Sequence, residues 1–403
     1  MADPASVPFH VSMTYFKIVF PLALIMFLVG ADEYVLSSIL SPMGESFHVE
    51  PARVALLVTA YALPCAVLGP LFGALSDRWG RRRVVLPSLA IFTIATYAVA
   101  AAPTFPVALL ARFICGSAAA ALGPNAFALV GDLIPPERRP AAMGHTMMGL
   151  TIGFIASPAL GGWITEQFGW RWAFVVLGTC GIGAWVSAAL AIPHRSTPEG
   201  EGAGTEVESV AAGVVRAFAL RGVPAGIASQ GLWIGATIGV MAISGEIFRT
   251  RYALSVSETG MWLASFGVLT IAGNLLVAPT VSWTGSTKRA VLLGIVGTWF
   301  GIGGLTLVPS FPFVATLVSF WLWAVFAGFG GPALQALLAD LAGERRATVL
   351  SISASAMQLG VVATTFFTAW TFPQFGSVGV GVVACCSFVL SFILQARSSG
   401  STA

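Results

Sequence analysis

The sequence predicts an all-α integral membrane protein with twelve transmembrane helices arranged in two related six-helix halves. Hydrophobic residues make up 57% of the 403 positions and charged residues only 9%, and the mean hydropathy is +0.87. Apolar runs of roughly 20 residues, enough to cross a bilayer as a helix, follow one another along the chain. The alternation expected of membrane strands is absent, and lipid cannot satisfy exposed backbone groups, so helices are the expected spanning elements.

Short stretches holding Pro, Gly or charge divide the chain into twelve predicted spans. These are 17–40, 52–75, 84–102, 105–133, 141–165, 170–193, 221–247, 258–281, 289–309, 312–341, 347–371 and 377–396. Around them we predict an N-terminal tail 1–16, a first half 17–193, a cytoplasmic linker 194–220, a second half 221–396 and a C-terminal tail 397–403. The linker is expected because hydropathy falls there and Gly, Glu and Ser accumulate.

The fourth and tenth predicted spans repeat each other at about half the chain length. Phe105-Pro106, Gly123-Pro124 and Asp132-Leu133 recur as Phe311-Pro312, Gly331-Pro332 and Asp340-Leu341. An even number of spans separates the copies, so the two halves share one topology. Such repeats are typical of transporters that expose a central site alternately to each side; a passive bundle is the alternative interpretation.

The basic residues predict the orientation. With the N-terminus in the cytoplasm, fifteen of the twenty Lys and Arg residues fall on the cytoplasmic side and four outside. By the positive-inside rule, both termini should be cytoplasmic in a bacterial inner-membrane protein. Because the arginines lie in short loops between spans, we expect no nucleic-acid partner. The five cysteines are odd in number and lie in apolar segments, which favours packing over disulfides or a metal site.

The loop between spans two and three, GALSDRWGRRRVV, carries the most specific motif. It resembles the signature loop of the major facilitator superfamily, Gly-x-Leu-x-Asp-Arg-x-Gly-Arg-Arg/Lys. The matching positions are Gly73, Leu75, Asp77, Arg78, Gly80, Arg81 and Arg82. The arginines can bridge to carboxylates or helix C-terminal carbonyls and so latch the cytoplasmic side, although topology alone would also favour them. The second-half loop SWTGSTKRAV has Ser282 at the acidic position, so we expect a weaker latch there.

Two further stretches resemble the twelve-span drug:proton antiporter branch of that superfamily. Span four carries Leu-x-Arg-x-x-x-Gly through Leu110, Arg112 and Gly116. Span five approximates the branch's Gly-x-x-x-Gly-Pro-x-x-Gly-Gly signature, with Ser replacing one Gly. Its predicted seam consists of Gly149, Gly153, Ser157, Pro158, Gly161 and Gly162. Small residues at this spacing allow close helix approach, which could seal a proton leak or simply serve packing.

Two adjacent carboxyl groups, Asp32 and Glu33, lie inside the first predicted span. Asp32 is about 12 Å below the outer end of its helix, and Arg112 of span four lies at a similar depth. We therefore expect the three groups to share a central cavity, with one acid paired to Arg112 and the other free to titrate. The GADEYV stretch also resembles span one of the sugar-efflux and arabinose-efflux permeases, which implies Glu33 as proton carrier and Asp32 as second candidate. A purely structural ion pair is the alternative.

Other polar side chains at mid-span depth are candidates for substrate contact, although each is also an ordinary packing residue. They are Tyr61, Asn125, Gln230, Trp233, Trp323, Gln335 and Gln358. Glu246 is expected at the outer end of span seven, within reach of water.

The predicted function is proton-coupled export of small amphipathic compounds by alternating access, with the proton as coupling ion and no other cofactor. Export of sugars or other polar metabolites and lipid flipping are the alternatives within this fold. An integral membrane enzyme is disfavoured because the sequence has no metal motif, Ser-His constellation or phosphate-binding loop; a non-transporting sensor is the remaining class. The expected partners are a small-molecule substrate and membrane lipid, and the chain is expected to be a monomer.

Overall fold

A computed structural model of the protein describes residues 13–193 and 215–398. Most of the predicted linker 194–220 and parts of both tails lie outside these residues. The first half consists of α1 (Met13–Tyr34, continued by Leu36–Phe47), α2 (Leu56–Trp79, preceded by Pro51–Val54), α3 (Arg81–Ala101), α4 (Phe105–Leu133), α5 (Arg139–Phe168) and α6 (Trp170–Ala191). The second half consists of α7 (Val223–Tyr252), α8 (Val256–Leu275, continued by Val277–Thr284), α9 (Thr287–Thr306), α10 (Phe313–Ala342), and α11 and α12 within Arg346–Arg397.

The described helices account for twelve spans. Ten are long and apolar enough to cross a membrane, and the two parts of α8, bent by 48°, make an eleventh. The last of the ten, Thr348–Arg397, lies in the helical segment Arg346–Arg397 and contains two spans, because Gly376 interrupts the segment with φ of 58°, a backbone conformation that favours glycine. This division gives α11 (346–375) and α12 (377–397), and the predicted all-α membrane fold is confirmed.

The two halves are joined mainly at one end of the bundle. We call the end where α2, α6 and α10 finish the linker side, and the opposite end the far side. The linker-side part of the first half has its own hydrophobic core, drawn entirely from residues 19–192. The other core combines far-side residues of the first half, such as Ile39, with residues of the second half, such as Ile243. The structure is therefore closed on the far side.

The small-residue stripe on α5 lies between α1 and α8. Gly149 and Gly153 face the backbone of α1, where Ala23 and Phe27 carbonyls leave no room for a Cβ atom. Gly162 faces Val256 of α8 in the same way. The close helix approach expected from the spacing is present, and the seam joins α5 both to its own half and to the second half.

We predict that Gly149→Ala will destabilise the protein by about 1–3 kcal/mol, because the added methyl group overlaps the Ala23 carbonyl. Gly144 is the matched control on the same helix, since a Cβ there meets nothing within 4 Å. Gly144→Ala should be neutral or stabilising by up to about 1 kcal/mol, through helix propensity. Thermal unfolding in detergent measures both variants. Equal melting temperatures would contradict the close approach.

Candidate functional site

The centre of the first half brings together the side chains of Asp32, Tyr61 and Arg112. Arg112 Nη1 lies 2.5 Å from Asp32 Oδ2, and both side chains are essentially inaccessible. The guanidinium carbon lies 4.5 Å from the centre of the Tyr61 ring, a cation–π contact. Gly116, one turn after Arg112, lets α4 approach the Tyr61 backbone of α2, where a Cβ atom would overlap the Tyr61 carbonyl. The Leu-x-Arg-x-x-x-Gly spacing thus places the arginine against α2 and α1.

Additional contacts hold the guanidinium in this position. Arg112 Nε lies 3.4 Å from the Leu57 carbonyl oxygen, and Nη2 lies 3.4 Å from the Asp32 carbonyl oxygen. Asp32 Oδ1, by contrast, is buried without a hydrogen-bond partner in the part of the chain that the structure describes. The expected pairing of one acid with Arg112 is therefore present, and Asp32 is that acid.

Glu33 occupies a different environment from its neighbour. Glu33 as a whole is half-buried. Its Oε1 atom is buried and has no hydrogen-bond partner among residues 13–193 and 215–398. Since adjacent residues point about 100° apart on a helix, Glu33 cannot share the geometry that joins Asp32 to Arg112. The site therefore contains one carboxyl group that is paired with a cation and one that has no ion-pair partner within the described residues.

The loop after α2 joins three helices of the first half. Arg81 Nε donates to Asp132 Oδ2 of α4 at 3.0 Å, and Arg81 Nη1 donates to Ser76 Oγ of α2 at 2.8 Å. Arg82 donates to the Ile192 carbonyl at the end of α6. Gly80 has φ of 90°, which permits the tight turn between α2 and α3. The expected contacts to a carboxylate and to a helix C-terminal carbonyl are both present, and all of these lie within one half.

The remaining loop positions contribute less to this geometry. Arg78 lies exposed in the last turn of α2. A Cβ atom at Gly73 would meet nothing within 4 Å. The side chain of Asp77 lies outside the described structure. In the corresponding loop of the second half, Lys288 donates to the Ala396 carbonyl at 3.1 Å near the end of α12. Lys288 therefore makes the contact that Arg82 makes with α6.

Apart from Tyr61, which lies against Arg112, the candidate substrate residues divide into three groups. Trp233 and Trp323 are fully buried inside the second half: Trp233 packs against Gly294 and Gly330, and Trp323 packs against Phe266. Asn125 belongs to the loop region, because its Oδ1 accepts from Arg81 Nη1 at 3.3 Å.

The third group contains polar atoms on α7, α10 and α11. Gln230 Nε2 lies 3.5 Å from Met357 Sδ, while Gln230 Oε1 and Gln358 Oε1 are buried without partners within the described ranges. Gln335 is half-buried on α10. Unpartnered buried amide oxygens can accept hydrogen bonds from a ligand or from water.

Two features of α7 were not predicted from the sequence. Residues Gln230–Gly235 form a π-helical segment, a local irregularity that often marks functional sites. The apolar and small residues there give no signal for it.

Glu246 is the second feature, and the expectation that it reaches water was wrong. It is 7% exposed and accepts a hydrogen bond from Ser41 of the first half. The sequence places it near a helix end, but the continuation of α1 packs over it. Its burial depends on contact between segments about 200 positions apart.

A second carboxyl group joins the halves at the far-side surface. Glu166 Oε2 accepts from the Ser257 backbone N–H at 2.8 Å and from Ser255 Oγ at 3.1 Å, at the start of α8. An acidic group at a helix N-terminus satisfies its free N–H groups. The far-side closure thus includes one exposed carboxyl contact and one buried carboxyl contact.

Comparisons with known proteins connect this architecture to membrane transport. The family model described as Major Facilitator Superfamily matches residues 22–250. An uncharacterized MFS-type transporter, YceJ of Bacillus subtilis (strain 168), is 26% identical over 377 residues, which cover 92% of this chain and 93% of the relative. A multidrug resistance protein B homolog of Mycobacterium tuberculosis (strain ATCC 25618 / H37Rv) is 32% identical over 148 residues, covering 37% of this chain and 27% of the relative.

Solved structures share the fold at low sequence identity. The crystal structure of a D-xylose-proton symporter superposes with a TM-score of 0.78 at 17% identity, covering 96% of this chain and 98% of that one. A bacterial homologue of the human lysosomal transporter Spinster, in an inward-facing and unoccupied conformation, superposes with a TM-score of 0.72 at 19% identity and covers 96% of each chain.

Proposed function

Since the chain belongs to the major facilitator superfamily and is a multi-pass membrane transporter rather than an enzyme, we propose that it exports small amphipathic compounds in exchange for protons. Transport proceeds by alternating access between the two six-helix halves. The coupling ion is the proton, and the substrate and the surrounding lipid are the partners.

The observation that carries the proposal is the contrast between Asp32 and Glu33. Asp32 is paired with Arg112 at 2.5 Å, whereas the side chain of Glu33 forms no ion pair and no hydrogen bond within the described residues. An intramembrane carboxyl is costly to maintain without a partner and is therefore a functional candidate. In this proposal Glu33 carries the proton, and the Asp32–Arg112 pair supplies a fixed charge arrangement beside it.

Coupling follows from competition at this site. Proton binding at Glu33 and substrate binding nearby disfavour each other, so only one is carried in each direction. Tyr61 lies against Arg112, and a substrate that disturbs this contact also changes the charge environment of Glu33. The coupling free energy needed for a useful bias is on the order of 1–3 kcal/mol.

The proposed orientation places the linker side in the cytoplasm of a bacterial cell. The short loops on that side carry the Arg81 and Arg82 contacts, and the basic residues concentrate there. In this orientation the structure, closed on the far side, corresponds to an inward-facing state. Separation of the far-side contacts then releases substrate outside the cell.

The proposed substrate class is amphipathic because the candidate contacts combine few polar atoms with apolar surroundings. Gln230 and Gln358 each offer an amide oxygen, and half-buried Met357 adjoins Gln230. Met side chains adapt to varied apolar surfaces. The relatives named as multidrug resistance proteins support this class.

Purified protein in proteoliposomes with an imposed pH gradient tests the proposal. Ethidium, a labelled sugar and a labelled phospholipid are supplied in parallel, and substrate and proton fluxes are recorded together. We expect ethidium flux that reverses when the pH gradient is reversed. Sugar flux alone would assign a polar-metabolite exporter, and lipid equilibration alone would assign a flippase. Ethidium flux that ignores the pH gradient would contradict proton coupling.

A further inference from the structure

A second buried carboxyl lies at the contact between the halves, away from Asp32 and Glu33. Glu246 on α7 accepts a hydrogen bond from Ser41 on the continuation of α1. Immediately before it, Gly245 lies against the Ser37 carbonyl so closely that a Cβ atom would not fit. Ser37 and Ser41 are themselves 2% and 7% exposed. The first half thus supplies a hydrogen-bond donor to this carboxyl and packs closely against the residue before it.

The enclosure of Glu246 depends on far-side closure. Ser37 and Ser41 belong to the first half, and Gly245 and Glu246 belong to the second, so opening the far side must separate these pairs. Such a separation exposes Glu246 at the far side. The Asp32–Arg112 pair lies within one half and can remain intact through the same movement.

The electrostatic surroundings of Glu246 are sparse. Arg249, one turn further along α7, and Glu45, on the continuation of α1, are the charged groups that act on it most directly. Elements packed against this part of α7 also carry Arg53, in Pro51–Val54, and Glu258, in the first turn of α8. Neither forms a hydrogen bond with Glu246 within the described residues. α11 contributes no charged residue at this depth.

We propose that Glu246 is a far-side gating residue whose protonation favours closure and whose ionisation favours opening. Within the described residues of the closed structure, the Ser41 hydroxyl is the one side-chain donor to Glu246, and Arg249 acts on it without forming an ion pair or a hydrogen bond. A buried ionised carboxyl needs more compensation than one hydroxyl and an unpaired cation one turn away provide. Water supplies that compensation when the far side opens. The proton returns to the side from which it came, so this residue adds no net proton transfer and is distinct from the carrier Glu33. The inference rests on the proposed alternating-access function.

Linkage fixes the expected pH dependence. Closure takes up a proton at Glu246, so the open-to-closed ratio should rise with increasing pH. One coupled proton changes that ratio by at most about tenfold per pH unit. Lowering the pH on the far side should therefore favour the structure described here.

Double electron–electron resonance between labels on opposite halves can measure far-side opening. Cysteines introduced at the exposed positions Glu50 and Thr250 carry the labels, in a background with the exposed Cys386 changed to Ser. The parent should show a growing long-distance population between pH 5.5 and pH 8. Glu246→Gln, which resembles the protonated form, should remain closed and lose the slope. Its short distance at pH 5.5 verifies that it folds.

Three further variants make the test specific. Glu246→Asp keeps an ionisable group and should keep the slope. Glu45→Gln removes a nearby exposed carboxyl and should also keep it. Glu33→Gln should keep the pH-dependent opening while losing proton-coupled flux, so failure of the gating proposal is separable from failure of the proposed function. An unchanged slope in Glu246→Gln, or a lost slope in Glu246→Asp or Glu45→Gln, overturns the proposal.

Discussion

Glu33→Gln should abolish pH-driven ethidium efflux in proteoliposomes and leave only the leak rate of empty liposomes. Glutamine preserves size and hydrogen-bonding capacity but cannot bind and release a proton in this pH range. Asp32 cannot substitute, because its charge is matched by Arg112 at 2.5 Å. Ethidium binding, measured by fluorescence titration of the purified variant, should persist but weaken by about 5–150-fold, because glutamine is neutral like the protonated acid that competes with the substrate.

The control for this prediction is Glu33→Asp, which keeps a titratable carboxyl on a shorter side chain. It should retain pH-driven efflux at a reduced rate. pH-driven efflux in Glu33→Gln that is above the leak rate and equal to that of Glu33→Asp would remove Glu33 from the coupling step. Loss of ethidium binding together with transport in Glu33→Gln would instead assign Glu33 to the substrate site.

Arg112→Leu should destabilise the protein by about 3–5 kcal/mol, because it leaves the Asp32 carboxylate buried without a counterion. The change also removes the cation–π contact with Tyr61 and the hydrogen bond to the Leu57 carbonyl. The expected readouts are a large fall in melting temperature in detergent and a loss of transport.

The double variant Asp32→Asn, Arg112→Leu separates charge from packing. Removing both charges together should recover most of the stability that Arg112→Leu loses, because that loss comes mainly from the unpaired Asp32 carboxylate. Equal melting temperatures for the single and double variants would show that lost packing, rather than lost pairing, sets the effect. Transport should remain impaired in both variants if the Asp32–Arg112 pair supplies the charge arrangement that proton binding at Glu33 requires.

Local motifs allowed part of the site to be predicted. Asp32 and Glu33 lie at a depth that matches Arg112 in a helix of opposite direction, so the pairing of one of the two acids with Arg112 could be expected from depth. The loop between α2 and α3 is short, so the glycine at position 80 indicates a tight turn. Arg81 and Arg82 can then reach only the ends of neighbouring helices. The glycine stripe on α5 was likewise visible as a four-residue spacing, and the structure shows that α1 and α8 are the helices it accommodates.

The burial of individual polar groups could not be predicted in this way. The sequence leaves Trp233 either a substrate contact or a packing residue, and the structure places its ring inside the second half against Gly294 and Gly330. Glu246 was expected in water, but the continuation of α1 covers it. In both examples the residues that bury the side chain are distant from it in sequence. The pattern of residues along one helix therefore cannot predict the burial.

The sequence by itself determined the number of spans, the division into two halves and the presence of a rare carboxyl pair inside the membrane. It could do so because lipid imposes a length and a composition on each helix independently of its neighbours. The tertiary structure alone decided that Asp32 rather than Glu33 pairs with Arg112, and that the halves meet on the far side around Glu246. Those outcomes depend on helix rotation and on packing between helices, which arise only when the helices assemble.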